Sequence, residues 1–381
     1  MPMLDPHKYR REFPILADSI YLISNSLGAM PRGVEDSLME YTRLWKTEGV
    51  EAWEEWFPKI FEVAGMFAPL INAEPDEIGV VHNITVASAQ IASCFDLRQK
   101  RNKIILDDMH FTSLQYLWEG MRSYGARVEI IKSNDGIGVD AEQIISAIDE
   151  ETLMLPISHV YFRSGYIQDA AAIIDAAHAK GAMVFLDSYQ ACGTVPIDVK
   201  KLNVDILATG VLKWLCGGPG ATFLYVRKDI LSRLKPVIRG WLGHERPFAF
   251  EPEMEYNAGM QRFLTSSPQM PSIYTAIPAL KLFREIGIEN IRAASLQLTE
   301  RIITRADEYG FIVNSPRDER RRGGAITINM PNAERASRAL IEKRIFVDYR
   351  AGSGIRIAPH FYNTLDEVDA AMAELNALQK N

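Results

Sequence analysis

Through the middle of the chain, short apolar runs alternate with stretches whose apolar positions recur every three or four residues. "KIILDD" (103–108) leads into "SLQYLWEGMRSYG" and then "RVEIIKS". "TLMLPISHV" (152–160) leads into "DAAAIIDAAHAKG" and then "MVFLDS", with "VDILATG" and "ATFLYV" following. Short, unbroken apolar runs are the pattern of strands buried on both faces, and the three-to-four spacing is that of helices. Their alternation predicts an α/β fold: a mostly parallel central sheet covered by helices. Ligands in such sheets sit beyond the carboxyl ends of the strands, so functional residues are expected just after each apolar run.

The pattern changes after about residue 225. "IPALKLFREIGIENIRAASLQLTERIITRADEYG" predicts one or two long helices. "GAITINM", "RIFVDYR" and "GIRIAP" are strand-like, with helical "ERASRALIEK" and "LDEVDAAMAELNAL" among them. The expected division is residues 1–60 as a segment packing with the small domain or a partner subunit, 61–275 as the large domain, and 276–381 as a linker helix with a smaller C-terminal α+β domain.

Composition narrows the function. A net charge of −7 provides no field for a polyanion, so nucleic acid is not an expected partner. Seven histidines without paired spacing predict no metal site. Three scattered cysteines, Cys94, Cys192 and Cys216, form neither a zinc pattern nor a disulfide framework. With a charged N-terminal "MPMLDPHKYRREF" and no apolar stretch near the roughly 20 residues that span a bilayer, the expectation is a cytoplasmic protein with no membrane partner.

The chemistry is expected at two adjacent strand ends. Asp187 closes "MVFLD" and, taken alone, could simply cap a helix. Lys213 follows "VDILATGVL" and opens "KWLCGGPG", whose glycines let backbone approach closely. An amine in a partly apolar setting loses its proton readily and can form an imine with an aldehyde. Alone, such a lysine is usually a surface residue. The pair is more specific, because pyridoxal 5′-phosphate (PLP) needs an imine-forming lysine and a carboxylate that keeps its ring nitrogen protonated. Gln190 could bond the same ligand. "HNITV" offers a turn into a helix N-terminus, where Thr85 and the backbone near Ile84 and Val86 could hold a phosphate. Phe111, or its neighbour His110, could stack on the ring.

These residues in this order resemble the fold-type I PLP enzymes, within them the class V aminotransferase group, and most closely kynureninase. The resemblance spans most of the chain through "YLISNSLGAMP", "HNITV", "HFTSLQY", "HVYFRSG", "KWLCGGPG", "GWLGHERPF" and "GIRIAPHFYNT". It implies PLP as cofactor, an amino-acid substrate and a homodimer with active sites at the interface. Lys213 would be the imine lysine, Asp187 the ring-nitrogen partner, Thr85 a phosphate ligand and Phe111 the stacking ring. Trp241 and Ser266 or Ser267 would complete the phosphate site, from the partner subunit in some arrangements. Arg356 would hold the substrate carboxylate as a two-pronged donor, with Asn25 and Ser26 of the "NSLG" segment beside the substrate.

The chain departs from kynureninases where specificity is set. Leu212 stands where they carry a tyrosine, Gln190 where they carry a histidine, and serine replaces an asparagine near "TSSPQ". Arg163, in "HVYFRSG", has no counterpart role. The expected activity is therefore a PLP-dependent, kynureninase-like hydrolase or a related β-carbon lyase. A class V aminotransferase and a non-catalytic binding protein are the alternatives, the retained Lys213, Asp187 and Arg356 weighing against the latter. A desulfurase would need a reactive cysteine near the small domain, and none lies in the C-terminal half.

Overall fold

A computed structural model describes residues 4–379. The first strand, β1 (Ile20–Tyr21), lies apart from the seven that follow. These are β2 (Ile78–Val81), β3 (Lys103–Asp107), β4 (Arg127–Ile131), β5 (Thr152–Ser158), β6 (Met183–Asp187), β7 (Ile206–Gly210) and β8 (Thr222–Val226). They form one sheet in the order β2-β8-β7-β6-β5-β3-β4. β8 runs antiparallel to both its neighbours, and the remaining pairings are parallel, as the alternating pattern predicts.

The central runs, β5 to β8, are almost wholly buried because both faces are covered. Val184, Leu186 and Leu207 pack into one helix layer, while Phe185, Ile206 and Ala208 pack into the other. Two of the helices that follow these strands begin where a polar side chain satisfies a free amide. Asn83 caps Ile84–Ala92 by accepting from the N–H of Val86 at 2.9 Å, and Asp169 caps Ala170–Ala179 through Ala172. The cap of the first helix is therefore Asn83, and Thr85 lies inside its first turn.

The long helical stretch resolves into two helices, Met270–Ile286 and Ile288–Tyr309, separated at Gly287 with φ +81°. Beyond them come β9 (Ile312–Val313), β10 (Ile326–Asn329), β11 (Ile345–Phe346), β12 (Asp348–Arg350) and β13 (Gly354–Ile357). Four of these form a second sheet, β12-β13-β10-β9, packed on its own apolar cluster that includes Leu298, Ile302, Ile326 and Ile355.

The N-terminal residues tie the two sheets together. β1 pairs in parallel with β11, Ile23 bridges to Ala358, and the N–H of Gly28 donates to Leu212 O at 2.9 Å. A Cβ at position 28 would lie 2.2 Å from Lys213 O and 2.7 Å from the Cα of Cys216, so only glycine lets this segment lie against the lysine loop. Helices Gly33–Glu48 and Ala52–Phe67 then pack on Met270–Ile286. Among the described residues, no helix is long and apolar enough to cross a membrane.

Candidate active site

A cavity of about 550 Å³ opens at the carboxyl ends of the large sheet, a size suited to a cofactor with its substrate. Nine of the expected residues line it: Asn25, Ser26, Ile84, Thr85, Phe111, Asp187, Gln190, Lys213 and Arg356. Trp241, Ser266 and Ser267 do not join them within one chain. Trp241 stacks on Phe250 and meets Phe248 edge-on beside a separate apolar hollow that Ser267 also lines, and Ser266 borders another hollow.

Lys213 reaches the cavity just beyond β7. Its Nζ lies 5.3 Å from the ring centre of Phe111 and 5.1 Å from that of Tyr189. Burial pushes its pKa down to about 8, helped by Arg356 and Arg350 and opposed by Asp187 and Asp348. Asp187, at the end of β6, accepts the N–H of Tyr189 at 2.9 Å. Burial pushes its carboxyl above the usual range, while that N–H, His110 and Lys213 pull it back. A cationic ring nitrogen at Asp187 would keep the carboxylate ionised.

The lowered pKa of Lys213 has a consequence for stability. The folded chain gives up its proton near pH 8, while the unfolded chain holds it until about 10.5, the ordinary value of a lysine. The desolvation penalty is complete below pH 8 and fades as pH rises from about 8 to 10.5. The apo form of Lys213→Met is therefore expected to be more stable than the parent at pH 7, by on the order of 2–3 kcal/mol, with the gap closing toward pH 10. Urea unfolding at several pH values checks this, and a gap independent of pH rejects it.

Phe111 presents its ring to the cavity, 42% exposed and edge-on to Phe162. His110 is buried instead, its Nδ1 2.9 Å from Ser158 Oγ and its Nε2 3.6 Å from Asp107 Oδ2, so it does not offer a stacking face. The amides of Ile84 and Thr85, at the first helical positions, have no acceptor within the helix. Gln190 donates to Asn25 O at 3.0 Å and accepts from Trp214 Nε1 at 3.0 Å. Asn25 is 1% exposed, yet both its side-chain polar atoms lack a partner. An orphaned buried amide facing a cavity is the mark of a ligand position.

Arg356 is 2% exposed and is held by a carboxylate the sequence reading did not single out. Its Nε donates to Asp348 Oδ1 at 2.8 Å, its Nη2 to Asp348 Oδ2, and its Nη1 to Phe162 O at 2.7 Å. Three of its five N–H groups are thus used, leaving one on each terminal nitrogen. Asp348 and Arg356 are directly opposite on β12 and β13, and Arg350 shares the same carboxylate at 2.8 Å. The two-residue spacing in "DYR" was the available signal, since it puts Asp348 and Arg350 on one face. Tyr189 and Phe162, which also line the cavity, were missed as well.

The donor set fits PLP: an amine whose pKa burial lowers, a buried acid one strand away, free helix amides and an aromatic face. This is the strand-end site of a fold-type I PLP protein. The family model described as Aminotransferase class-V matches residues 20–370, and the chain belongs to that family, whose cofactor is PLP. It is 34% identical over 372 residues to an uncharacterized aminotransferase, YcbU, of Bacillus subtilis, covering 98% of each protein. It is 32% identical over 378 residues to a kynureninase of Geobacillus thermodenitrificans, covering 94% of this chain and 88% of that one. Among solved structures it is similar to a C-DES mutant with glycine covalently linked to its PLP cofactor, at TM-score 0.89 and 20% identity over 96% of this chain and 98% of that one. A cysteine desulfurase from Thermococcus onnurineus NA1 superposes at TM-score 0.88 and 21% identity, covering 100% and 99%. At such identities the structural likeness speaks for the fold alone.

Proposed function

We propose that this PLP-dependent enzyme acts on an α-amino acid as a kynureninase-like hydrolase or related lyase, breaking a bond at the β-carbon. The observation that carries the reading is Lys213, an amine in one cavity with Asp187 and Arg356 whose pKa burial pushes down to about 8. When bound, PLP supplies an aldehyde for Lys213 and a protonated ring that withdraws electron density from the substrate. Asp187 would face the ring nitrogen and hold its proton, Phe111 would offer its ring to the cofactor, and the first turn at Ile84 and Thr85 would receive the phosphate. The free N–H of Gln190 Nε2 is available to the ring oxygen. The two unused N–H groups of Arg356 hold the α-carboxylate, with Asn25 and Ser26 beside it. Lys213 would take the α-proton.

Kynureninases at 31–32% identity over almost the whole chain support cleavage at the β-carbon. Persulfide chemistry is disfavoured because burial pushes the thiols of Cys94 and Cys192 up to about 12, and Cys216 higher still. One observation favours transamination as a second reading. Leu212 beside Lys213 gives no acid for an oxygen on the substrate side chain, while Lys213 alone suffices to move a proton between two carbons. A second copy of the chain, bringing Trp241 and Ser266 or Ser267 to the phosphate, belongs to the same proposal.

Incubating the holoenzyme with kynurenine, β-substituted alanines and an amine with a keto acid sorts these routes by their products. Anthranilate and alanine from kynurenine, or pyruvate from a β-substituted alanine, is the expected outcome. Amino transfer that depends strictly on the keto acid would replace the proposal with the aminotransferase reading. A chain that takes up no PLP would remove both.

A further inference from the structure

The side-chain amide of Gln190 is fixed from both ends. Its Oε1 accepts from Trp214 Nε1 at 3.0 Å, and its Nε2 donates to Asn25 O at 3.0 Å. An indole N–H can only donate and a backbone carbonyl can only accept, so one orientation of the amide satisfies both. In that orientation the second N–H of Nε2 stays free, and Gln190 lines the cavity. Turned over, the amide would set N–H against N–H at Trp214 and oxygen against oxygen at Asn25. All three residues are buried, where unmade bonds are costly.

Trp214 is itself held by parts of the chain far from β7. Its indole packs with Ala325, just before β10, and Ala358, just after β13. A Cβ at Gly324 would lie 2.7 Å from its Cη2, and one at Gly193 would lie 2.9 Å from its Cβ, so two glycines make room for the residue. His360 Nε2 donates to Trp214 O at 2.7 Å, and its ring meets the indole edge-on at 5.5 Å. Burial pushes the pKa of His360 down to about 4, so it stays neutral near pH 7, and the bond to a carbonyl places its proton on Nε2. The second sheet thus sets the indole, and the indole sets the amide. We propose that Trp214 is a positioning residue that holds Gln190 with an N–H toward the cofactor's ring oxygen. This rests on the reading of Gln190 given above and extends it to a residue that does not line the cavity. A donor at that oxygen draws off charge that helps retain the proton on the link between Lys213 and the cofactor. Losing the donor therefore raises the pH at which the visible band is lost.

The test follows that pH midpoint in the PLP-loaded enzyme by absorbance, a readout independent of turnover. Gln190→Leu is expected to raise it. Trp214→Phe, which keeps an aromatic ring but no donor, should raise it by about half to one unit, the scale of one neutral hydrogen bond. In the Gln190→Leu background, Trp214→Phe should add nothing. A midpoint that Trp214→Phe leaves unchanged overturns the assignment. So does an equal shift with and without Gln190, because the indole would then act on Lys213 directly. Should the smaller ring leave the protein unfolded, the tryptophan isostere with sulfur in place of the indole N–H, introduced at position 214 alone, keeps the packing and is read in the same way. A midpoint unmoved by Gln190→Leu would remove the ring-oxygen role of Gln190 and that of Trp214 with it. Failure to take up PLP at all would instead sink the enzyme reading, so the failures are distinguishable.

Discussion

Lys213→Ala is expected to lose turnover by at least about 10²–10⁴-fold, the usual worth of a positioned proton-transfer group, and to lose the visible band of a lysine-linked cofactor. The fold should survive, because the change removes a partly desolvated amine. Asp187 then stands without its nearby cation, and cofactor held by the phosphate turn alone should exchange readily. Borohydride reduction followed by peptide mapping of the parent enzyme gives the direct check. A cofactor adduct on the peptide containing Lys213 is the expected result. An adduct on any other lysine, or full turnover in Lys213→Ala, would reject the assignment.

Arg356→Leu is expected to act on both binding and stability. It leaves Asp348, which is largely buried, with Arg350 as its only cation. Breaking a buried pair by removing one partner costs about 3–5 kcal/mol; with Arg350 still in place, about 2–3 kcal/mol is the expected loss. Arg356→Leu with Asp348→Leu should recover most of it, since no lone carboxylate then remains buried. Chemical denaturation of the two variants separates pairing from packing, and equal losses in both would show that packing dominates. In the folded single variant, KM for an amino-acid substrate should rise about ten- to a hundredfold through loss of the two free N–H donors. An unchanged KM would rule out Arg356 as the carboxylate holder. Arg356→Lys should not restore it, because an ammonium cannot present two parallel donors while pairing with Asp348.

Much of the site was legible because a strand end is a local feature. Asp187 and Lys213 each follow directly on an apolar run, and neighbouring parallel strands bring such ends together without further instruction. The turn at Asn83–Thr85 was also local, although which side chain makes the cap depends on backbone angles that the letters do not display. Asn83, extended at φ −163°, takes that position. The break at Gly287 and the approach of Gly28 to Lys213 O follow from glycine's lack of a Cβ, but only the fold shows what each glycine meets.

The amino-acid sequence alone determined the order of elements, the mostly parallel sheet, and the acid and lysine at and just beyond the ends of two of its strands. These depend on periodicity and adjacency, which are written along the chain. Only the tertiary structure decided that Asp348 opposes Arg356, that Asn25 brings an unpartnered amide into the cavity, and that Trp241 lies outside it. Those facts depend on strand register and on how distant segments pack, and a register slip of one residue would turn every side chain on β12 to the other face.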